Sequence, residues 1–141
     1  MSTSLDSLRE RFRKDVTPLD IAAGILFFFG KIEFTTSYER LNSAFYKEKD
    51  NPLLGEFRFR EGGSYPYSAL LENVFSRLSK SGLISCLNPD YRLFEIGEKQ
   101  LERIEKGVLK KFSKEKIRDL KSLSQRIKKN LGPNNSRALD Q

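Results

Sequence analysis

Three consecutive segments decide the fold of this chain: PYSALLENVFSRLSKSGLIS at 66–85, CLNPDYRLFEIG at 86–97 and EKQLERIEKG at 98–107. In the first segment, apolar residues recur at spacings of one, three and four, which predicts a single apolar stripe on a helix. They are Leu70, Leu71, Val74, Phe75 and Leu78. Gly82 is typical of a helix C-terminus, and Ser64 or Ser68 suits the N-terminal cap. We therefore expect a helix that ends at Gly82.

The second segment predicts a β-hairpin followed by another helix. Apolar residues alternate through 83–87 and 91–96, and Asn88-Pro89-Asp90 between them forms a turn, because proline presets φ and Asn and Asp bond to their own backbone. After Gly97, Leu101 and Ile104 lie on one helical face. The predicted order is helix, hairpin, helix, and an ordinary α+β domain fits the same pattern.

Composition limits the function classes. The chain has 141 residues and 38% hydrophobic content, which predicts one domain. No apolar run approaches the roughly 18 residues that span a bilayer, and acidic residues interrupt the N-terminus, so we expect a cytoplasmic protein with no membrane partner. With one cysteine, Cys86, and no histidine, we expect no cofactor, no metal site and no enzyme activity. A buried or half-buried position is expected for Cys86.

The pattern divides the chain into four parts. Residues 1–16 carry an amphipathic stripe and predict an N-terminal helical extension; the stripe consists of Leu5, Leu8, Phe12 and Val16. Residues 17–105 form the main domain, which opens with a capping box at Thr17-Pro18-Leu19-Asp20. Within it, residues 47–65 form a long link in which 57–60 alternate like an edge strand. Residues 106–132 predict a basic amphipathic helix, and 133–141 a flexible tail.

Positive charge is concentrated near the C-terminus. Residues 106–129 contain ten basic and two acidic residues, a net charge of +8, whereas residues 1–105 contain fifteen basic and sixteen acidic residues, a net charge of −1. A segregated positive face attracts nucleic-acid phosphates. The candidate contacts are Lys110, Lys111, Lys114, Lys121, Arg126, Lys128 and Lys129. A solvated helix face fits the same pattern, and a membrane-surface helix is a third alternative, although tryptophan is absent.

The helix before the hairpin supplies a second set of candidates. Its outward positions include Ser68, Asn73, Arg77 and Lys80, and Arg92 lies in the hairpin. Asparagine pairs with adenine and arginine with guanine in the major groove. The helix carries two basic residues against one acid, however, which is few for a groove-binding helix. Nucleic-acid binding is therefore better supported than base-specific reading.

Two stretches carry a family resemblance. Gly82-Leu83-Ile84 followed by residues 91–99, YRLFEIGEK, resembles the end of the recognition helix and the wing of winged helix-turn-helix regulators. The chain departs from that pattern at Glu95, where threonine is common, and in the long link before the helix. Residues 57–68 distantly resemble small winged-helix proteins of toxin–antitoxin and phage-defence systems. The resemblance implies a mainly α fold with a small β-hairpin: a winged helix-turn-helix with extra N- and C-terminal helices.

Two functions follow as expectations. The first is a winged-helix protein that binds DNA (or RNA), most simply a transcriptional regulator, with homodimerisation through the C-terminal helices. The second is an interaction subunit that uses the same fold to dock onto a larger protein in a defence or nucleic-acid-processing complex. The aromatic link, the weakly basic helix and the apolar C-terminal stripe motivate this alternative.

Overall fold

The computed structural model describes residues 16–86 and 93–139. In these residues the chain is mainly helical, with five α-helices and a three-stranded antiparallel sheet. The predicted N-terminal helical extension lies outside the described residues, except for Val16. The turn of the predicted hairpin, residues 87–92, also lies outside them.

The elements follow one another in a regular order. Helix α1 (Pro18–Phe29) leads into strand β1 (Ile32–Thr35) and helix α2 (Tyr38–Tyr46), and a 3-10 turn (Pro52–Leu54) precedes helix α3 (Ala69–Ser81). Strand β2 (Leu93–Ile96), helix α4 (Glu98–Gly107) and a second 3-10 turn (Leu109–Lys111) come next. Helix α5 (Lys114–Leu131) and strand β3 (Ser136–Ala138) complete the order.

Helix α1 forms the centre of the molecule. The predicted capping box is present, with Thr17 accepting from the Asp20 backbone N–H and the Asp20 side chain accepting from the Thr17 N–H. The helix packs against α3, α4 and α5, which explains why so few of its residues are polar. At Gly24 the backbone allows a close approach of α5, since an added Cβ would lie 3.0 Å from Leu120 Cδ1.

Strand β1 is the middle strand of the sheet. It pairs antiparallel with β2, so that Phe34 lies opposite Phe94, and with β3 on its other edge, so that Glu33 lies opposite Arg137. Ser85 forms an antiparallel bridge to Glu95, with N···O distances of 2.9 and 2.7 Å. The two arms of the predicted hairpin therefore meet at this one bridge, but residues 83–86 form no strand, and the ladder of β2 is with β1.

Helix α3 has the ends that the sequence predicts. Ser68 caps the N-terminus by accepting from the Leu71 N–H, and Gly82 ends the helix in the left-handed conformation at φ 82°. Its apolar stripe faces the core, where Phe75 contacts the rings of Phe34, Phe45 and Phe94. This aromatic cluster joins α3 to the sheet and to α2.

The link between α2 and α3 packs onto its own domain. Leu53, Leu54 and Phe57 are buried, and the ring of Phe59 contacts that of Tyr46. The predicted edge strand at 57–60 is wrong apart from one bridge between Arg60 and Tyr67. Arg58 adopts a positive φ of 45°, which breaks the extended conformation that the alternation of side chains implied.

The C-terminal region packs onto the domain and differs from the expectation at its end. The apolar stripe of α5 is buried against α1 and α2 of the same chain. Residues 136–138, assigned by sequence to a flexible tail, form β3 instead. Gly132 at φ 79° reverses the chain after α5, and the segment then pairs with the open edge of β1.

Candidate nucleic-acid interface

The outward face of α3 carries three of the predicted contacts. Asn73, Arg77 and Lys80 are exposed and fall at i, i+4 and i+7, so they lie in one row along the helix. The row is positioned by the opposite face, which is buried in the core. This buried face is formed by Leu71, Val74, Phe75 and Leu78. The structure thus brings these three predicted contacts together on the solvent side.

Ser68 does not belong to this surface. Its relative exposure is 0%, and its hydroxyl donates to the carbonyl oxygen of Phe57 while accepting from the Leu71 N–H. Its own N–H donates to Asn42 Oδ1 at 2.9 Å. The prediction that Ser68 points outward is therefore wrong, because capping the helix requires the side chain to turn back onto the backbone.

The start of α3 is acidic and aromatic. Burial and the neighbouring Glu72 carboxylate raise the pKa of both Tyr38 and Tyr65 above the ordinary value. The ring of Tyr65 contacts that of Tyr67, which is 38% exposed. A carboxylate at this end of the helix repels phosphate, so the basic half of α3, with Arg77 and Lys80, is the half suited to a nucleic acid.

Helix α5 carries a longer row of cations, here called the basic ridge: Lys114, Arg118, Lys121 and Lys129. All four are exposed, and none of their side chains has an ion pair or hydrogen bond to another residue within 16–86 or 93–139. Their spacing of four, three and eight places them on the side opposite the buried stripe. Sequence reasoning missed Arg118, although the same helical periodicity that selects Lys114 and Lys121 includes it.

Three of the other predicted cations have partners within the protein. Lys111 Nζ lies 3.2 Å from Asp20 Oδ2, and Arg126 Nε donates to Glu48 Oε1 at 3.0 Å. Lys128 Nζ donates to the carbonyl oxygen of Phe29 at 3.4 Å. Lys110 is exposed beside them. The three interactions fasten α5 and the turn before it to α1 and α2, so Lys111, Arg126 and Lys128 have structural roles, whereas Lys110 and the ridge cations do not.

Helix α1 separates the two basic surfaces. Gly24 faces α5, whereas Phe29 lies about 140° further round the helix and contacts Phe34, which contacts Phe75 of α3. Because α1 packs against both α3 and α5, we expect the outward faces of these two helices to point to different sides of the domain. A single short, flat contact with a nucleic acid therefore does not cover both faces.

The remaining sequence expectations concern the hairpin and metal binding. Arg92 lies outside the described residues. Cys86 is exposed rather than buried or half-buried. In the part of the chain that the structure describes, no group of three or more Cys, Asp or Glu side chains is placed to hold a metal ion.

Comparison of the chain with models of known protein families, with curated proteins and with solved structures finds no match. None of the helices within the described ranges is both long enough and apolar enough to cross a membrane.

Proposed function

We propose that this chain is a cytoplasmic DNA-binding protein with a winged-helix arrangement, most simply a transcriptional regulator. The basic ridge of α5 supplies the affinity for phosphates. The C-terminal half of α3, with Asn73, Arg77 and Lys80, supplies the limited discrimination between sequences.

The order of elements supports the winged-helix assignment. Helix, strand, helix, helix and hairpin follow in that order from α1 to β2, and β2 joins the central strand β1 while Ser85 bridges Glu95. In winged helix-turn-helix proteins, which the sequence resembles, the helix in the position of α3 is the recognition helix and the hairpin after it is the wing. The long link before α3 does not disturb this order, because its apolar residues are absorbed by the core.

The single observation that carries the proposal is the basic ridge. Four cations on one helical face without partners among the described residues offer fixed positive charge to a polyanion, and releasing the counterions of the polyanion favours binding. Ion-paired lysines offer less, since their partner must first be given up. The ridge therefore distinguishes a phosphate-binding surface from an ordinary solvated face better than net charge does.

A salt titration tests the proposal. Fluorescence anisotropy with a labelled duplex measures the binding constant at several salt concentrations. If each of the four ridge cations neutralises one phosphate, the slope of log K against log salt is about −3.6, at about −0.9 per phosphate. A binding constant that barely changes with salt would refute the phosphate contacts.

Matched variants locate the surface. The triple variant Lys114→Glu, Arg118→Glu and Lys121→Glu is expected to reduce the steepness of the salt slope by about three. The control variant, Lys31→Glu, Lys47→Glu and Lys99→Glu, makes the same change in net charge at exposed positions elsewhere. Equal losses of affinity in the two variants would mean that binding responds to net charge and not to the ridge.

The interaction subunit remains a second candidate on one observation. The apolar stripe of α5 is buried in the chain itself, and so are Leu53, Leu54 and Phe57 of the link, so these side chains are not available to a partner. The surface at the start of α3 is available: Tyr65, exposed Tyr67 and Glu72 form an aromatic and acidic patch unsuited to phosphate. If this candidate is correct, the ridge variant keeps its binding to the larger protein partner, and the double variant Tyr67→Ala, Glu72→Lys loses that binding.

A further inference from the structure

A cavity of about 630 Å³ opens where the N-terminal end of α1, the first 3-10 turn and the start of α5 meet. Its apolar lining is formed by Val16, Ile21, Pro52, Leu53 and Phe112. Sites for small molecules have volumes of this order and are lined mainly by apolar side chains with a few polar groups. Apolar surface costs free energy when left in water, so a ligand with an apolar body is favoured here.

Contacts within the protein fix the walls of this cavity. The Asn51 side chain accepts from the Leu53 N–H at 3.0 Å and so caps the first 3-10 turn. Phe112, between the second 3-10 turn and α5, is buried. Lys111 Nζ lies 3.2 Å from both carboxylate oxygens of Asp20, which joins the second 3-10 turn to α1. The cavity is therefore preformed, and a ligand spends little binding free energy on ordering it.

The charged groups that line the cavity are cationic. The lining residues include three lysines and, among the residues that the structure describes, no carboxylate. The Asp20 carboxylate neutralises Lys111. Lys110 and Lys116 are exposed, and neither side chain has an ion pair or hydrogen bond to another residue within 16–86 or 93–139. A ligand thus meets apolar surface together with two unpaired ammonium groups.

We propose that this cavity binds a small amphipathic carboxylate, a medium-chain acyl acid whose hydrocarbon chain covers the apolar lining and whose carboxylate pairs with Lys110 and Lys116. A neighbouring cavity of about 320 Å³ shares Pro52, Leu53 and Lys116, but the rest of its lining is polar: Asn51, Asp119, Ser122 and Arg126. Polar surface does not favour hydrocarbon. The chain of the ligand is therefore confined to the first cavity, which favours a medium chain over a long one.

NMR titration of the isotope-labelled, full-length protein with octanoate tests the site. The backbone amide signals of Ile21, Leu53 and Phe112 are expected to shift and to saturate, while those of Arg77 and Lys80 on α3 stay in place. From butanoate through hexanoate to octanoate, affinity should rise about fourfold for each added methylene group that the cavity buries. Shifts that do not saturate, or equal affinities for the three acids, would overturn the proposal.

Matched variants test the contact with the carboxylate. The double variant Lys110→Gln, Lys116→Gln is expected to weaken octanoate binding about tenfold, as two exposed ion pairs allow, and to leave the binding of octanol unchanged. The control variant Lys31→Gln, Lys47→Gln makes the same change in net charge at exposed positions away from the cavity and should bind both ligands normally. Equal losses in the two variants, or equal losses for the two ligands, would refute the pairing.

Anionic vesicles separate a free acid from a membrane surface. Co-sedimentation with phosphatidylglycerol vesicles is measured for the same two variants. Vesicle binding that depends on Lys110 and Lys116, together with no saturable binding of octanoate, would assign the cavity to a membrane surface and overturn the proposal. Saturable octanoate binding that the double variant weakens supports it. No sample contains nucleic acid, so these results do not depend on the proposed DNA binding.

Discussion

Three backbone groups have hydrogen-bond partners around Ser68 at the start of α3. Its hydroxyl serves the Phe57 carbonyl and the Leu71 N–H, and its own N–H is taken by Asn42. Because Asn42 lies in α2 and its Nδ2 also donates to Glu72 Oε2 of α3 at 3.3 Å, the same network fixes α2 against α3. A residue that sequence reasoning placed on the binding face therefore holds the binding helix in position.

Replacing this serine is expected to destabilise the fold. Ser68→Ala removes a helix cap, at about 1 kcal/mol, and leaves the buried Phe57 carbonyl without its donor, at about 1 kcal/mol more. Urea unfolding followed by circular dichroism measures the loss. Ser64→Ala, at an exposed position in the preceding loop, is the control and should change stability by less than about 0.5 kcal/mol. Similar losses in both variants would contradict the network.

Tyr38 provides a pH-dependent prediction at the same scale. Burial first, and then the Glu72 carboxylate, raise the pKa of its hydroxyl above 10.0, so the folded state favours the neutral form. The stability that this contributes is fully present below pH 10 and is lost as the pH rises through the folded pKa. In Glu72→Gln we expect the Tyr38 pKa to fall towards 10 but to stay above it, because burial remains.

The Tyr38 Cζ chemical shift, followed by NMR from pH 8 to 12, measures this pKa. Glu56→Gln, an exposed carboxylate in the link, is the matched control and should leave the titration unchanged. If Glu72→Gln left the Tyr38 pKa where it was, the proximity of the two groups would be refuted.

At the scale of elements, the crossing of α1 and α5 determines where the basic ridge points. Gly24 of α1 and Leu120 of α5 meet at this crossing. One turn further along α5, the Ser124 hydroxyl donates to the Ile25 carbonyl of α1. Because the apolar stripe of α5 is fixed against α1, the opposite face must carry the free cations. The direction of the ridge is thus a consequence of helix packing.

A double-mutant cycle tests this crossing. Gly24→Leu overfills the contact and is expected to destabilise by about 2 kcal/mol, and Leu120→Ala leaves a cavity that costs about 3 kcal/mol. Combined, the new side chain occupies the vacated space, so the double variant should be at least 1 kcal/mol more stable than the sum predicts. Thermal or urea unfolding of the four proteins gives the coupling energy, and strict additivity would place the two residues apart.

At the scale of the whole molecule, α1 keeps the outward faces of α3 and α5 on different sides. If both contact nucleic acid, they do so as separate surfaces. The effects of two variants on the free energy of binding should therefore add, within about 0.5 kcal/mol. One is the α3 double variant, Arg77→Glu with Lys80→Glu, and the other is the ridge variant. The anisotropy titration measures both variants and their combination, and a strongly non-additive result would mean one shared contact.

The amino-acid sequence by itself determined the features that depend on neighbouring residues. The capping box at Thr17, the stop at Gly82, the stripe of α3 and the meeting of the hairpin arms all follow from local backbone preferences and short periodicities. The tertiary structure decided what depends on contacts distant in the chain. Strand β3 forms because β1 has an open edge, and Ser68 is buried because Asn42 and Phe57 bind it. The ridge cations are free because the nearby carboxylates of Asp20 and Glu48 form ion pairs with Lys111 and Arg126 instead. No local pattern encodes these partners, since they come together when the chain packs around α1.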